Sequence, residues 1–253
     1  MNKPVFSIVI PTFNSLELLR RALSSALQQQ GVAMEVIVTD DSTTTDIADY
    51  VASLGDEHLR YFRNQPSLGA VKNWNSGLAK ATGQYVILMH HDEAMSGDDY
   101  LQRVQRLMDG GADVVVSSVE VTIDDRVKPS HFTAAMKRFM LRHPSWLFFA
   151  NAVGPCACMA FRRSQLQPFC DELRWLVDVE WYYRMLASRR VVYDPQLVVR
   201  SIHGHEGQIT ANLDIRSTFA ADRPVVARLH PEWSVRLMLW LYKALVINAK
   251  STK

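Results

Sequence analysis

Two acidic groups in this chain sit where chemistry is a natural use for them. His90-His91-Asp92-Glu93 follows the wholly apolar run Tyr85 to Met89, and Asp178 and Glu180 lie in the segment Leu173 to Leu186, which reads as a helix. Hard divalent cations take one or two carboxylates together with phosphate oxygens and water, which Asp92 and its neighbour Glu93 can offer. A zinc site on His90 and His91 is the rival reading, although adjacent imidazoles seldom turn toward one ion. Asp40-Asp41-Ser42 follows the run Val36 to Thr39. It is either an Asx turn or a pair of acceptors for a base N–H, such as N3–H of uracil or thymine.

Helical geometry separates Asp178 from Glu180. At ~100° per residue, Asp178 shares a face with Trp181, Tyr182, Met185 and Leu186. Glu180 points away, four residues before Arg184, the favourable order for an exposed ion pair. Asp178 therefore suits a site and Glu180 a structural role. A further polar cluster, His203, His205, Glu206 and Thr210, lies between Arg200 and Thr210; it reads as surface loop or as additional ligands.

The elements that must position these residues alternate strand and helix. Phe6 to Ile10 is a strand ended by Pro11, and Leu16 to Gln30 a helix with Leu19, Leu23, Ala26 and Leu27 on one face and Asn14 or Ser15 as its cap. Strands follow at Val36 to Thr39, Leu59 to Arg63, Tyr85 to Met89 and Val114 to Val119. Helices are expected at Ala70 to Ala81, ended by Gly83, and at Asp98 to Met108. Val191 to Val199 reads as a strand pair around Asp194-Pro195, and the stretch from Pro231 as one helix. Strands without alternation imply a parallel sheet covered on both faces. Ligands of such sheets bind at the C-terminal edge, where Pro11-Thr12-Phe13-Asn14, Asp40-Asp41, Asn64 and His90 to Glu93 all fall.

Composition narrows the classes. The chain has 253 residues, 48% hydrophobic and 21% charged, with a formal net charge of +2. It shows no basic stripe, so nucleic acid is not an expected partner. Three cysteines give no disulfide framework, which fits a reducing, cytoplasmic setting. The start reads as a strand rather than a signal peptide, and no apolar run approaches the ~20 residues of a membrane span. The first turn has no glycine-rich loop, which disfavours a dehydrogenase and also a nucleotidyltransferase making an activated sugar.

Ser7 to Asn14, Glu35 to Ser42, the set Asn64, Gly69, Asn75 and Gly77, and Tyr85 to Glu93 occur in order at intervals that resemble family 2 of the glycosyltransferases. The resemblance runs from Ser7 to about Thr210. It implies an α/β, GT-A-like (Rossmann-like) fold: a mainly parallel central sheet flanked by helices, an acceptor-side subregion and terminal helices. Residues 1–215 would form the transferase domain, split near 119 into nucleotide-sugar and acceptor halves, with 216–253 a helical extension. The resemblance also implies a nucleotide site of Pro11, Thr12, Asn14, Asp40, Asp41, Asn64, Asn75, His90 and His91. Asp92 and His205 would hold Mg²⁺ or Mn²⁺, and Asp178 would be the general base of an inverting transfer. The donor would be a nucleotide-diphosphate sugar, UDP- or dTDP-linked, and the acceptor a glycan, glycolipid or lipid-linked hydroxyl in cell-surface polysaccharide synthesis. Three positions depart from the family pattern. Trp74 stands where Arg is common, His90 where the metal motif begins with Asp, and His203 where Arg is often found. A catalytically inactive nucleotide-sugar scaffold therefore stays open. Acceptor contacts are expected in Lys137 to Cys158 and near Trp175, whose aromatics could equally be core. The C-terminal helix, with Arg236, Trp240, Tyr242 and Lys243, is either a peripheral membrane contact or a face packed on the domain or in a homodimer.

Overall fold

The unalternating runs of the first half require cover on both faces, and they receive it. A computed structural model describes residues 3–124, 126–128, 132–205, 207–208 and 213–248. Strands β1 (Phe6–Thr12), β2 (Met34–Asp40), β3 (Leu59–Arg63) and β4 (Tyr85–Leu88) lie in the order β3-β2-β1-β4, all parallel. Helices α1 (Leu16–Leu27), α2 (Asp46–Leu54) and α3 (Ala70–Leu78) make the crossovers. Leu19, Leu23 and Ala26 of α1 are buried as their spacing predicts, while Leu27 stays partly open.

Past β4 the sheet turns mixed. The chain adds β5 (Glu93–Met95), β6 (Val114–Ile123), β7 (Arg126–Lys128), β8 (Met159–Arg162) and β9 (Val191–His203). The order continues β4-β8-β6-β9-β5, with β7 on β6; β8 runs antiparallel to both β4 and β6. The wholly parallel arrangement thus holds for the first four strands and stops where β8 enters. The strand pair expected around Asp194-Pro195 is one strand, parallel to β6, whose register jumps from Ser117↔Asp194 to Ser118↔Val198. Residues 195–197 bulge out, which tolerates a proline that has no N–H to give the ladder.

Several boundaries shift for local reasons. Pro11 does not end β1; it pairs in register with Thr39 inside the strand. Neither Asn14 nor Ser15 caps α1 through its side chain. The Asn14 side chain instead accepts from Thr43 N–H and Oγ1. Gly83 does not end α3, which stops at Leu78. A Cβ at Gly83 would come within 2.6 Å of the Phe6–Ser7 backbone, so glycine permits close approach to β1. Next to it, Glu35 accepts from Ser7 Oγ at 2.6 Å, from Thr82 N and Oγ1, and from Arg60. Burial alone would raise this carboxyl; the four donors outweigh it and hold it below the usual range.

The remaining helices are α4 (Tyr100–Asp109), α5 (Ala134–Arg142), α6 (Val177–Leu186), α7 (Ile215–Leu229) and α8 (Trp233–Tyr242). The helix read from Leu173 begins only at Val177. The stretch from Pro231 is α8 followed by a π-helical turn, Lys243–Ile247. Among the described residues no helix is long and apolar enough to cross a membrane.

Candidate active site

At the C-terminal edge of β1–β3 the polar residues mostly bind one another. Asp41, buried, accepts from Asn64 Nδ2 (3.0 Å), Leu68 N (2.8 Å), Ser67 Oγ (2.6 Å) and Gly69 N (2.8 Å). A carboxylate has about four acceptor positions, so the Asp41 carboxylate is filled from inside the chain. Burial would raise its pKa, but these donors hold it below the ordinary range. A nucleobase N–H reaches Asp41 only by displacing one of them. Asp40 accepts from Ser42 N at 2.9 Å and Tyr61 OH at 2.6 Å. Asn64 also donates to Asn73 Oδ1, and Asn75 is engaged in both directions with the Phe169 backbone, at 2.9 and 2.8 Å. The Asn75 amide therefore organises residue 169 in this structure rather than facing the edge. Thr12 differs: its hydroxyl is buried with no hydrogen-bond partner among the described residues. A buried hydroxyl left free costs stability unless a ligand uses it.

The turn after β4 gathers the second group. Glu93 Oε2 accepts from His90 N and from Ala157 N, both at 3.0 Å, and Oε1 lies 3.3 Å from His90 Nδ1. The His90 ring packs on Trp74, centroids 4.7 Å apart. Burial disfavours its charged form, yet Glu93, then Asp92 and Asp178, raise its pKa to about 9. The His91 ring turns the other way, toward His205 at 6.2 Å. Burial lowers its pKa to about 4, with His90 and His205 adding to the effect. The two adjacent imidazoles diverge. Pairing of β5 with β9 (Glu93↔Ser201) and the Ile202 N–H on the Asp92 carbonyl draw the end of β9 to the turn. His205 Nε2 comes to 3.3 Å from Asp92 Oδ2. Burial would raise the Asp92 carboxyl; His205 and the charges of His90 and His91 outweigh it and lower it. His203 closes β9 beside Ile123. Glu206 and Thr210 lie outside the described residues.

These residues pass a test for a divalent cation. Ligand atoms of His90, Asp92 and Glu93 lie within 4.8 Å of one another. Glu93 Oε2 holds two backbone N–H groups and its Oε1 faces His90 Nδ1, so the less committed carboxylate is Asp92, with the His205 nitrogen beside it. His90 Nε2 and His91 Nδ1 are buried without partners among the described residues. Unpaired buried polar atoms around a carboxylate are groups that a bound ligand can satisfy.

Asp178 stands in the first turn of α6. Its Oδ1 lies 4.0 Å from Cys156 Sγ, next to the Ala157 N–H that binds Glu93. Burial raises its pKa, Glu93 adds to the effect and His90 opposes it. Through the Cys156–Ala157 step Asp178 lies beside the His90–Glu93 turn. An aromatic series braces it: Trp181 of α6 stacks on Phe169 at 4.2 Å, Phe169 meets Trp74 at 5.3 Å, and Trp74 meets His90. Glu180 is not exposed; it is 1% accessible and holds both Arg184 (2.6 Å) and His230 (2.8 Å). Its pairing with Arg184 is as the spacing predicts, but the same carboxylate also ties α6 to His230 at the end of α7. Lys137 is likewise buried, donating to the carbonyls of Ser117 and Val153, and does not present its ammonium to an acceptor.

One residue invisible to sequence reasoning holds α6 in place. Asp222 of α7, 2% accessible, accepts from the N–H groups of Arg174, Trp175 and Leu176 at 3.1, 2.7 and 2.8 Å. It supplies the carboxylate that a helix N-terminus favours. Asp222→Ala leaves the buried Leu176 N–H and the partly buried Arg174 and Trp175 N–H groups unpaired, and is expected to cost ~1–3 kcal/mol in urea unfolding. It should also lower kcat with the donor KM unchanged, and Asp222→Asn should recover part of both. Loss of stability at unchanged kcat would mean that Asp222 serves folding alone.

The profile of Glycosyl transferase family 2 matches residues 7–168, more than half of the chain. The chain belongs to that family. Similar proteins include an uncharacterized protein of Mycobacterium tuberculosis, 27% identical over 94% of this chain and 76% of its own length. A Campylobacter jejuni GalNAc(5)-diNAcBac-PP-undecaprenol beta-1,3-glucosyltransferase is 32% identical over 44% of this chain, and the match covers 37% of that enzyme. The fold is similar to that of Staphylococcus aureus TarS residues 1–349, solved with UDP-GlcNAc. Its TM-score is 0.72 at 17% identity, covering 95% of this chain and 73% of that one. The fold is therefore GT-A-like. Two of the departures from the family 2 pattern, Trp74 and His90, prove to be in ring contact.

Proposed function

We propose that this family 2 glycosyltransferase moves a sugar from a nucleotide diphosphate, UDP or dTDP, onto an acceptor hydroxyl with inversion at the anomeric carbon. The reading is carried by one observation: Cys156 and Ala157, adjacent in the chain, meet Asp178 through Cys156 Sγ and Glu93 through the Ala157 N–H, so the acid of α6 borders the turn that carries Asp92 and its partner His205. Asp92 and His205 hold Mg²⁺ or Mn²⁺, which supplies charge neutralisation at the departing diphosphate when bound. Thr12, with its free hydroxyl, contacts the nucleoside, and Asp40 and Asp41 set the shape of that edge. Asp178, made more basic by burial, takes the proton from the acceptor oxygen as that oxygen attacks. Attack from the face opposite the diphosphate inverts the centre in one displacement. The acceptor is a glycan or a lipid-linked glycan, as in the polyprenol-linked substrate named for the Campylobacter relative, and the product feeds polysaccharide or glycoconjugate assembly at the cytoplasmic membrane face.

A thermal-shift screen of nucleotide sugars with Mn²⁺ tests this, since a ligand selective for the native state raises the melting temperature. A UDP- or dTDP-sugar is expected to raise Tm only with the ion, and chelator-sensitive release of the nucleoside diphosphate should follow. Pyrophosphate release from a nucleoside triphosphate and a sugar phosphate would point to a nucleotidyltransferase. Binding without any turnover would point to a scaffold.

A further inference from the structure

The C-terminal helices leave an amphipathic surface that the site does not use. Val235, Met238, Leu239 and Ile247 face inward, whereas Trp233 is 76% accessible, Trp240 61% and Leu245 60%. Leu237 is exposed as well, and positions 233, 237 and 240 form one stripe at helical spacing. Exposed Arg236 and Lys243 lie within and beside it. Between α7 and the π turn, next to the stripe through Lys243, is a groove of about 770 Å³ walled by Arg216, Arg223, Arg228 and Lys243, with Phe219 and Pro224 among its apolar lining. Arg228 is paired with Glu172 at 2.7 Å. Among the described residues Arg223 and Lys243 show no ion pair.

We propose that this surface docks the protein on an anionic lipid bilayer, the Trp233–Leu237–Trp240 stripe lying in the interface and the groove cations meeting lipid phosphates. Indole rings suit a boundary with one apolar and one wet side. Arg and Lys beside an apolar stripe keep their charge at the headgroups while their stems cover it. A second copy of the chain fits poorly. In a two-fold interface the same patch faces itself, so a patch carrying Arg236, Lys243 and Arg223 would be set against the same cations. Such cores are also depleted in charge. Docking here also bears on the active site. Asp222 precedes Arg223 on α7 and caps α6, and Trp175 Nε1 donates to Tyr242 OH of α8 at 3.1 Å. The membrane-facing helices are thus joined directly to the segment that presents Asp178. The proposal deepens the lipid-linked acceptor reading above and rests on it for its purpose, though not for its test.

The test is co-sedimentation of the full chain with vesicles of phosphatidylcholine alone or mixed equally with phosphatidylglycerol, alongside light scattering for oligomeric state. Binding is expected to the mixed vesicles only, weakened by salt. The Trp233→Ala/Trp240→Ala double variant should lower partitioning by about tenfold or more. Arg223→Glu/Lys243→Glu should do the same. All four positions are exposed, and donor-dependent Tm shifts should be unchanged in every variant. No preference for anionic vesicles, or variants that bind as well as wild type, overturns the proposal. A dimer broken by Trp240→Ala in a protein that ignores vesicles overturns it in favour of self-association. If vesicle binding fails while donor shifts persist, docking alone falls. Docking with no donor shift leaves the surface standing and removes the transferase reading.

Discussion

Asp178→Asn is expected to lower sugar transfer by ~10²–10⁴-fold, the usual contribution of a positioned general base. The donor-induced thermal shift with Mn²⁺ should be unchanged. The expectation rests on the absence of a stand-in among the described neighbours. Glu93 is engaged by His90 and Ala157, and Glu180, two residues on, is fixed by Arg184 and His230 on the other side of α6. Neither can turn to an acceptor oxygen without breaking buried hydrogen bonds. The amide nearly matches the carboxylate in size, so packing against Cys156 and the aromatic series through Trp181 should survive. Single-turnover assays with excess enzyme separate the chemical step from product release. A loss of donor shift parallel to the loss of rate would sink the assignment and make Asp178 a structural acid.

The part of the fold legible in sequence is the part where one physical constraint dominates. β1, β2 and β4 are wholly buried, so their composition carries no alternation and they announce themselves. β5 and β8 span only Glu93–Met95 and Met159–Arg162, too short for any period to register. In β9, Pro195 imitates a turn because a bulge and a turn both accept a residue without an N–H. The site divides in the same way. Asp92 and Asp178 could be singled out because each follows or faces an apolar segment and little else explains an acid there. His205 is expected from the family resemblance alone, since the β5–β9 pairing that brings it to Asp92 is reported by no local pattern. Asp222 gave no signal at all: an acid within a polar helix looks solvated until α6 is seen to end on it. Asp41 shows the reverse. A carboxylate at a strand end looks open to a ligand, but the Ser67–Gly69 backbone and side chains close on it, and loop geometry of that kind is not written in residue types.

Asp92→Ala is the second large effect. It is expected to abolish the Mn²⁺-dependent part of the donor thermal shift and to lower transfer by roughly 10²–10⁴-fold, several kcal/mol of Lewis-acid stabilisation expressed as a rate. Glu93 is the nearest alternative host, but its Oε2 holds the His90 and Ala157 N–H groups and its Oε1 faces His90 Nδ1, so an ion taken there competes with that imidazole. His205 offers a single nitrogen, and it meets Asp92 itself. The ring of His90, occupying the place where family 2 motifs usually begin with Asp, cannot supply a missing carboxylate and is pinned between Trp74 and Glu93. Isothermal titration of Mn²⁺ into the nucleotide complex, wild type against Asp92→Ala, reads the binding directly, and an apparent affinity that survives the substitution would move the ion away from this turn. The effect should therefore be graded by residue, with Asp92→Ala removing metal response and His205→Ala only weakening it. That order follows from which oxygen is left free, not from how acidic the motif looks.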